Sequence, residues 1–541
     1  MTTLLTVGSL VSRRFRGALT ILGCLSIFFL LVPVVRAGVE YEVWLSDQAN
    51  TQGITPATPT GTHGGAIRIY EGADLDQTPP INNPLVLDVT ADLFPDADVT
   101  TGAHVSRIHG VSPSPDHRHM ALNFVASGHL GIVDGETKKP VCLFRTTNMT
   151  TGRQNHMSFW TPDGLHIIVA NQNGRILERV DVVRNAQGAP ISFTFNGTAS
   201  LDLVGGAGRI LGQPIGVDVD VTDNIVCEVA GVVTDGQPTT TPTGAAKQAA
   251  NIRPLNAPIC PIPASNNRHV FVTLGGGGMF VVDLTATPMA IVGEYDLSVV
   301  RAAGCGGVET NGFMHLNTGT SGPNISEFSI YRFTLNYPPA PAFNAPNTPA
   351  PLAVWQDKDN GKVAGVDLPA GTNRDAHGII VVRNNQSGIG LYLHQMDRIR
   401  NNVEVFKLSP PWDNLTKRHE GTYSLTASGV CGGTPGTTKT NDPTPDLGDL
   451  TLGGVPIGNR IYVALRGPFP LTISHAADGS CPGLGIIDLS PNRRSGGLSA
   501  VMDTTVLSAD GSRNLSDPHA AVVRKKTPLQ PTLPCGKKGC K

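Results

Sequence analysis

Seven side chains with metal-binding chemistry stand at comparable places in a repeated strand pattern. His109 precedes Asp116 by seven residues, as His156 precedes Asp163, and the two histidines are 47 residues apart. The full set is His109, His156, Cys260, Cys305, His377, Asp449 (with Asp446 as the alternative carboxylate) and His519. Imidazole, thiolate and carboxylate groups are the protein ligands that transition metals prefer. Because the set extends from residue 109 to residue 519, only a ring of strands would bring its members together.

The elements that must position these side chains are short antiparallel strands. Residues 152–181 contain three of them, NHMSFW, LHIIVAN and RILERVD, with a Pro-Asp-Gly turn at 162–164 and a second turn at 172–174. Apolar, β-branched and aromatic runs separated by such turns are typical of a β-meander. The unit recurs with a period in the forties, and Cys260 and Cys305 lead two units that are 45 residues apart. This period is the length of a four-stranded propeller blade.

The recurrence predicts an all-β fold, a single seven-bladed β-propeller over residues 38–526. The six units with a leading strand begin near residues 109, 152, 259, 304, 377 and 446. The seventh blade is predicted to combine the three strands within 41–89 with the lone strand at 517–525, which closes the ring and hides the sheet edges. Gly-, Thr- or Pro-rich insertions are predicted at 203–255, 336–373 and 410–443, and a Cys/Lys-containing tail at 527–541. The alternative is a β-sandwich, which predicts neither a recurring unit nor a lone terminal strand.

The recurring units resemble those of seven-bladed propellers of the YVTN-repeat type. That group includes the nitrous-oxide-reductase N-terminal domain and the selenium-binding-protein (methanethiol oxidase) relatives. The resemblance covers nearly the whole chain after the N-terminal segment, at the level of the repeat pattern. In the copper propellers of this kind, histidines from the inner ends of the blades hold the metal. The resemblance therefore implies copper as the cofactor of the ring of histidines.

Two alternatives to a metal site stay open. Histidines in such leading strands also occur in propellers where they only hydrogen-bond the channel strands, which leaves a polar funnel for a small ligand. Cys260 and Cys305 lead adjacent units and can form a disulfide, which removes both thiolates as ligands. The other predicted pairs are Cys431 with Cys481 and Cys535 with Cys540.

Residues 1–37 have the pattern of a cleavable secretory signal. Arg13, Arg14 and Arg16 precede an apolar run at 18–35, and Ala37 ends a cleavage-type triplet. The alternative is an uncleaved anchor, since the run is about long enough to span a bilayer. The prediction is an exported protein, periplasmic or extracellular, with no membrane association after cleavage. An oxidising compartment permits disulfides between the remaining cysteines.

Composition and motifs narrow the function without identifying a reaction. The net charge is −2 and the only basic run is short, at 524–526, which argues against a nucleic-acid partner. The chain has no HExxH helix, Walker loop, Gly-x-Ser-x-Gly or CxxCH sequence. The prediction is a scaffold that binds an unidentified small molecule or protein, with a metal site on its axis. The alternative is a copper-dependent oxidoreductase with a small substrate, so enzymatic activity stays open and no catalytic residue is assigned.

Overall fold

The structure is a computed structural model whose described residues lie between Glu40 and Lys526. They are residues 40–49, 63–204, 212–233, 253, 255–300, 304–318, 328–338, 348–357, 374–384, 390–408, 419–426, 429–431, 442–450, 458–469, 478–508 and 510–526. The predicted signal segment at 1–37 and the tail at 527–541, with Cys535 and Cys540, lie outside the described residues, as do parts of the three predicted insertions.

Almost all regular structure in these residues is β-strand. The helical elements are α1 (Gly72–Leu75), one π-helical turn (Val89–Leu93) and α2 (Ala97–Thr101). The strands in chain order are β1 (Tyr41–Asp47), β2 (Ala66–Glu71), β3 (Leu85–Asp88), β4 (Ile108–Pro113), β5 (His119–Phe124), β6 (His129–Asp134), β7 (Pro140–Arg145), β8 (Asn155–Trp160), β9 (His166–Asn171), β10 (Ile176–Arg184), β11 (Pro190–Asn196), β12 (Leu201–Asp202), β13 (Ile215–Asp218), β14 (Val226–Ala230), β15 (Ala257–Pro263), β16 (His269–Gly275), β17 (Met279–Asp283), β18 (Ala290–Tyr295), β19 (Gly307–Thr310), β20 (Phe313–Thr318), β21 (Phe328–Thr334), β22 (Leu352–Asp357), β23 (Ala376–Asn384), β24 (Gly390–Asp397), β25 (Asn402–Lys407), β26 (His419–Ser424), β27 (Pro445–Leu450), β28 (Arg460–Leu465), β29 (Gly483–Leu489), β30 (Gly496–Asp503) and β31 (Pro518–Lys525).

The repeating unit is a meander of four antiparallel strands, as the sequence predicts. Six such units follow one another: β4–β7, β8–β11, β15–β18, β19–β22, β23–β26 and β27–β30. The predicted NHMSFW strand is β8, and the turn after it is closed by a hydrogen bond from Thr161 N to His166 O. Gly164 in this turn has φ +68°, a conformation that glycine adopts without steric cost.

The first and last strands of the described chain belong to one sheet. β31 pairs antiparallel with β1, from Tyr41 opposite Lys525 to Ser46 opposite Ala520, and β2 and β3 follow on the other side of β1. A single parallel bridge between Leu447 and Ala520 joins this group to β27–β30, which gives eight strands in all. The pairing between 517–525 and the N-terminal strands is therefore present.

The predicted insertions contain strands that extend the neighbouring sheets. Within 203–255, β13 pairs with β7 and β14 pairs in parallel with β11. Within 336–373, β22 is the outer strand of its unit and pairs with β21. Within 410–443, β26 is the fourth strand of its unit, although the Gly- and Thr-rich composition predicts only a loop there.

Apolar faces of successive sheets pack against each other to form the core. One cluster combines Phe144 from β7 with Ile167, Val180 and Phe193 from the next sheet, and none of these four side chains is exposed. Another combines Trp44 of β1 with Phe124 of β5. Burying apolar area is worth about 25 cal/mol per Å². Sheet-on-sheet contact is therefore the main source of stability, and the leading strands are held by packing as well as by hydrogen bonds.

Three disulfides join described residues. Cys260 pairs with Cys305 and Cys431 pairs with Cys481, as the sequence predicts. The third, between Cys142 of β7 and Cys227 of β14, was not predicted and fastens the strands of the first insertion to the first unit.

None of the helices in the described part of the chain is long and apolar enough to span a membrane.

Candidate metal centre

A β-bulge recurs at the same place in the leading strands. In five of them, three steps along the leading strand correspond to two steps along its partner. These shifts lie between Ile108 and Val111, Asn155 and Ser158, Pro258 and Pro261, Ala376 and Ile379, and Pro445 and Gly448. In β31 the residue skipped by the pairing register is His519. A bulge leaves an extra residue unpaired and re-aims its side chain.

The bulges determine which side chain each leading strand contributes to the candidate site. We call the first residue inside each shifted segment the ring position of its strand. The residues at this position are His109, His156, Ile259, His377 and Asp446. The sequence predicts Cys260 at the ring position of β15. Ile259 occupies that position instead, and Cys260 is the following residue. Cys305 lies just before β19. The structure thus brings the four histidines and one carboxylate to equivalent positions.

The four predicted histidines form one contiguous cluster. The ring of His109 stacks on that of His519, with centroids 3.5 Å apart and planes at 28°. His156 meets His109 edge-on at 4.5 Å, and His377 meets His519 edge-on at 5.6 Å. His109, His377 and His519 are buried and His156 is partly buried. The convergence predicted for these imidazoles is therefore present.

Asp446 completes the cluster, and Asp449 does not take part. His377 Nε2 lies 3.2 Å from Asp446 Oδ1, and His519 Nε2 lies 3.9 Å from Oδ2. One ligand atom from each of these three residues lies within 4.8 Å of the other two. The carboxylate of Asp449 instead accepts hydrogen bonds from Val523 N and Leu450 N. The choice of Asp449 is therefore corrected to Asp446, because the bulge at 445–448 places Asp446 at the ring position.

Two buried arginines hold Asp446 through its Oδ2 atom. Arg398 Nη1 donates to Asp446 Oδ2 at 3.1 Å, and Arg466 Nη1 donates to the same oxygen at 2.8 Å. Burial by itself would raise the pKa of Asp446, but His377, Arg398, His519 and Arg466 together hold it well below the usual value. Asp446 is therefore an anion at neutral pH.

Two further aspartates, Asp375 and Asp517, keep those arginines in place. Arg398 Nη2 donates to Asp375 Oδ2 at 2.8 Å, and Arg466 makes two 2.7 Å hydrogen bonds to Asp517. This network is not among the features predicted from the sequence. A signal for it exists, since Asp375 and Asp517 each stand two residues before a ring histidine, in DAH and DPH.

Backbone carbonyls fix the tautomers of two ring histidines. His156 Nδ1 donates to Ile259 O at 3.0 Å, and His519 Nδ1 donates to His109 O at 3.0 Å. A carbonyl only accepts, so Nδ1 carries the proton and Nε2 of the neutral ring keeps its lone pair. Burial lowers the pKa of His156 to about 4 and that of His519 to about 3. Both rings are thus neutral at pH 7, the form that ligates metals.

His109 is held differently. Its Nδ1 lies 3.0 Å from the amide nitrogen of Gln48, which can only donate, so Nε2 carries the ring proton in this arrangement. Nε2 is buried and has no hydrogen-bond partner among the described residues. Burial, followed by the neighbouring His519 and His156, lowers the pKa of His109 well below its usual value. His109 would bind a metal through Nε2 only if the Gln48 amide rotated so that its oxygen accepted a hydrogen bond from Nδ1.

Cys260 and Cys305 are joined to each other and supply no thiolate in this state. Their prediction as metal ligands therefore does not hold for the oxidised protein, whereas the alternative of a disulfide does. Their sulfur atoms and one ring nitrogen of His156 nevertheless lie within 4.8 Å of one another.

The His377–Asp446–His519 group fits a transition-metal ion. Asp446 Oδ1 accepts no hydrogen bond from the described residues, which leaves a buried anionic oxygen for a ligand. Two ligand atoms about 2.0–2.1 Å from one tetrahedral ion lie roughly 3.3 Å apart. The separation of His377 Nε2 and Asp446 Oδ1 is 3.2 Å. Imidazole nitrogen with carboxylate oxygen suits copper, zinc or iron rather than calcium.

Comparison with known proteins gives only distant similarities. No protein-family model matches the chain, and no curated protein matches it. The Pseudomonas aeruginosa periplasmic gluconolactonase PpgL is 14% identical over 90% of this chain and 99% of that chain, with a TM-score of 0.44. A putative 6-phosphogluconolactonase from Bacteroides uniformis is 11% identical over 90% and 99%, with a TM-score of 0.44. The β-propeller domain of Myceliophteria thermophila Cps50 (Swd1) is 11% identical over 66% and 93%, with a TM-score of 0.31. TM-scores below 0.5 assign no activity to this chain.

Proposed function

We propose that the chain is an exported, seven-bladed β-propeller that acts as a binding scaffold and holds a transition-metal ion, with copper as the first candidate, on its axis. The metal ligands are His377, Asp446 and His519, and His156 and His109 line the same cluster. The observation that carries the proposal is the buried group of two imidazoles and one carboxylate with ligand atoms within 4.8 Å.

Contacts between successive units support a closed ring of seven blades. Each of the seven neighbouring pairs is linked by a contact to the leading strand of at least one partner, and the seventh contact returns to β31. The contacts are His519 Nδ1 to His109 O, Ser112 Oγ to Ser158 O, His156 Nδ1 to Ile259 O, the Cys260–Cys305 disulfide, Asn317 Nδ2 to His377 O, His377 to Asp446, and the Leu447–Ala520 bridge. Residues far apart in sequence thus meet at one place, as an axial site requires.

The energetics of the cluster support a ligand-binding rather than a purely structural role. Burying a carboxylate costs several kcal/mol unless hydrogen bonds and counter-charges compensate. Arg398 and Arg466 compensate Asp446 at Oδ2, while Oδ1 faces His377 without accepting a hydrogen bond. A cation bound to Oδ1 would pair with this buried oxygen. It would also bind Nε2 of His519, which carries a lone pair because the ring proton is on Nδ1 and is donated to His109 O.

Export is supported by the disulfides. Three cysteine pairs among the described residues are oxidised, and the Cys142–Cys227 bond joins strands of two different sheets. Such bonds persist in oxidising compartments and are rare in the cytosol.

The test is the metal content of the full chain after export into a copper-supplemented periplasm. We expect about one equivalent of copper by mass spectrometry and nitrogen hyperfine structure in the Cu(II) electron paramagnetic resonance spectrum. The His377→Ala/His519→Ala double variant should lose the metal, because it removes both nitrogen ligands. His394→Gln is the matched control, since His394 is buried but bonded to Tyr423 and Arg493 outside the cluster.

Two results would overturn the metal proposal. One is a wild-type protein that is isolated metal-free and takes up neither copper nor zinc on titration. The other is a folded double variant that retains as much metal as the control. Circular dichroism of each variant separates loss of metal from loss of fold.

A further inference from the structure

A second group of ligand-type side chains lies next to the metal centre and is not used by it. It consists of His156, Cys260 and Cys305, from three successive sheets, with one ring nitrogen and the two sulfur atoms within 4.8 Å of one another. Cys260 is fully buried and Cys305 is 5% exposed, whereas His156 is partly exposed. Only the bond between the two sulfur atoms prevents this group from being a set of one imidazole and two thiolates.

The bulge in β15 creates the arrangement. Ile259 occupies the ring position, and its carbonyl oxygen accepts the Nδ1 proton of His156. The following residue, Cys260, meets Cys305 across the gap between two sheets, with Cα atoms 5.2 Å apart. The histidine is therefore anchored to the same strand that carries one of the sulfur atoms.

We propose that reduction of the Cys260–Cys305 disulfide converts this group into a Cys2His site for a divalent borderline ion of the zinc class. A dithiol reductant supplies two electrons and two protons; the S–S bond breaks and the reductant becomes a disulfide. The incoming ion then displaces the two thiol protons to solvent. The site shares no ligand residue with the His377–Asp446–His519 centre.

Charge and environment select the class of ion. Both cysteines belong to an apolar cluster that includes Met157, Ile262 and Phe333. Two thiolates and a divalent ion sum to zero charge, which avoids the cost of burying a net charge there. Two cysteines and one histidine with an open fourth position are an established ligand set for zinc. His156 Nδ1 donates to Ile259 O, so Nε2 of the neutral ring carries the lone pair that would bind the ion.

Cobalt(II) is the probe, because thiolate ligation gives it a near-ultraviolet charge-transfer band that a nitrogen and oxygen site lacks. The full chain is reduced with dithiothreitol, desalted without oxygen and titrated with Co²⁺. We expect one further equivalent with thiolate charge transfer and tetrahedral visible bands, absent from the oxidised protein. Cys260→Ser/Cys305→Ser should abolish the band, and His156→Ala should weaken Co²⁺ binding by about tenfold or more.

Two controls keep the result specific. Cys142→Ser/Cys227→Ser removes another disulfide between sheets that forms no three-ligand group within the described residues, so it should keep the band. His377→Ala/His519→Ala should also keep it, which separates this site from the proposed copper centre. Equal bands in reduced wild type and in Cys260→Ser/Cys305→Ser would overturn the proposal. So would unchanged Co²⁺ affinity in His156→Ala, or loss of the folded circular dichroism spectrum on reduction.

Discussion

His109, His156 and His519 of the histidine cluster are held in their neutral form by burial. His519 is 1% exposed, and burial lowers its pKa to about 3, with smaller contributions from its neighbours. Asp446 nearby is kept ionised by Arg398 and Arg466. The carboxylate and guanidinium groups thus carry charge in this cluster, while these three imidazoles are neutral. This arrangement makes folding sensitive to acid.

We expect the free energy of unfolding to fall as the pH decreases below about 6.5, the pKa of histidine in an unfolded chain. Because the folded-state pKa of His519 is about 3, the unfolded chain binds a proton at a higher pH than the folded chain does. The stability that is present above pH 6.5 is therefore lost as the pH falls toward 3. The loss from His519 at pH 4 is about 3 kcal/mol. Urea unfolding from pH 8 to pH 4 with a chelator present measures it.

His519→Gln should make this pH dependence shallower by about the same 3 kcal/mol between pH 7 and pH 4. The control is His104→Gln, since His104 is partly exposed and lies outside the cluster. An unchanged pH profile in His519→Gln would show that His519 titrates normally in the folded protein.

At this scale the sequence predicts residue types better than residue positions. The shared spacing from His109 to Asp116 and from His156 to Asp163 aligns the two histidines that lie first inside the bulges of β4 and β8. The sequence did not show whether Asp446 or Asp449 occupies the ring position of β27, or whether Ile259 or Cys260 occupies that of β15. The reason is that one bulge residue changes the face on which every following side chain lies, and no residue type marks a bulge uniquely.

The element that builds the site is the bulged leading strand. Small residues after the ring position let neighbouring strands approach closely. A Cβ atom at Gly378 would lie 2.5 Å from Asp446 O, and one at Gly306 would lie 2.6 Å from His377 O. Neither glycine has a positive φ, so close approach rather than backbone conformation requires glycine there. The histidine–glycine pair in β23 is therefore a packing unit as well as a source of ligands.

Gly378→Ala should destabilise the protein by about 1–3 kcal/mol, because the added methyl group overlaps a backbone oxygen of the next leading strand. The matched control is Gly497→Ala in β30, where an added Cβ meets no atom within 4 Å. That substitution should change stability by no more than about 0.5 kcal/mol. Urea unfolding of both variants tests the prediction, and equal midpoints would contradict it.

Strands were predictable where composition and periodicity agree, as in β8, β16 and β29. β14 and β26 were not, because each lies in a stretch dominated by Gly, Thr and Pro and is held as an added outer strand. The pairing of Cys142 with Cys227 was hidden for the same reason. It depends on the insertion folding back onto β7 and β11, and that tertiary contact leaves no periodic signal.

For the whole molecule, the strand that joins the two ends of the described chain is β31. It lies between β1 and β27, and Arg524 makes a fully buried ion pair with Glu42 at 2.6 Å. Arg524 also pairs with Glu136 and donates to His117 O in the first unit. Under the proposed ring, these contacts hold the first and last blades together, and β31 carries His519 to the axis.

Deleting residues 517–541 should prevent cooperative folding, whereas deleting only 527–541 should not. The larger deletion leaves β1 with an unpaired inner edge and leaves Glu42, which is fully buried, without Arg524. Removing one partner of a buried ion pair costs about 3–5 kcal/mol. Adding the lost apolar packing of Ala521 and Val523 brings the total close to the roughly 5–15 kcal/mol that stabilises a domain. Arg524→Met removes the contacts of Arg524 alone and should cost less than the roughly 3–5 kcal/mol of a fully unpaired buried charge, because Lys138 still pairs with Glu42. Urea unfolding measures this cost. If both truncated chains unfold at the same urea concentration, β31 does not close the ring.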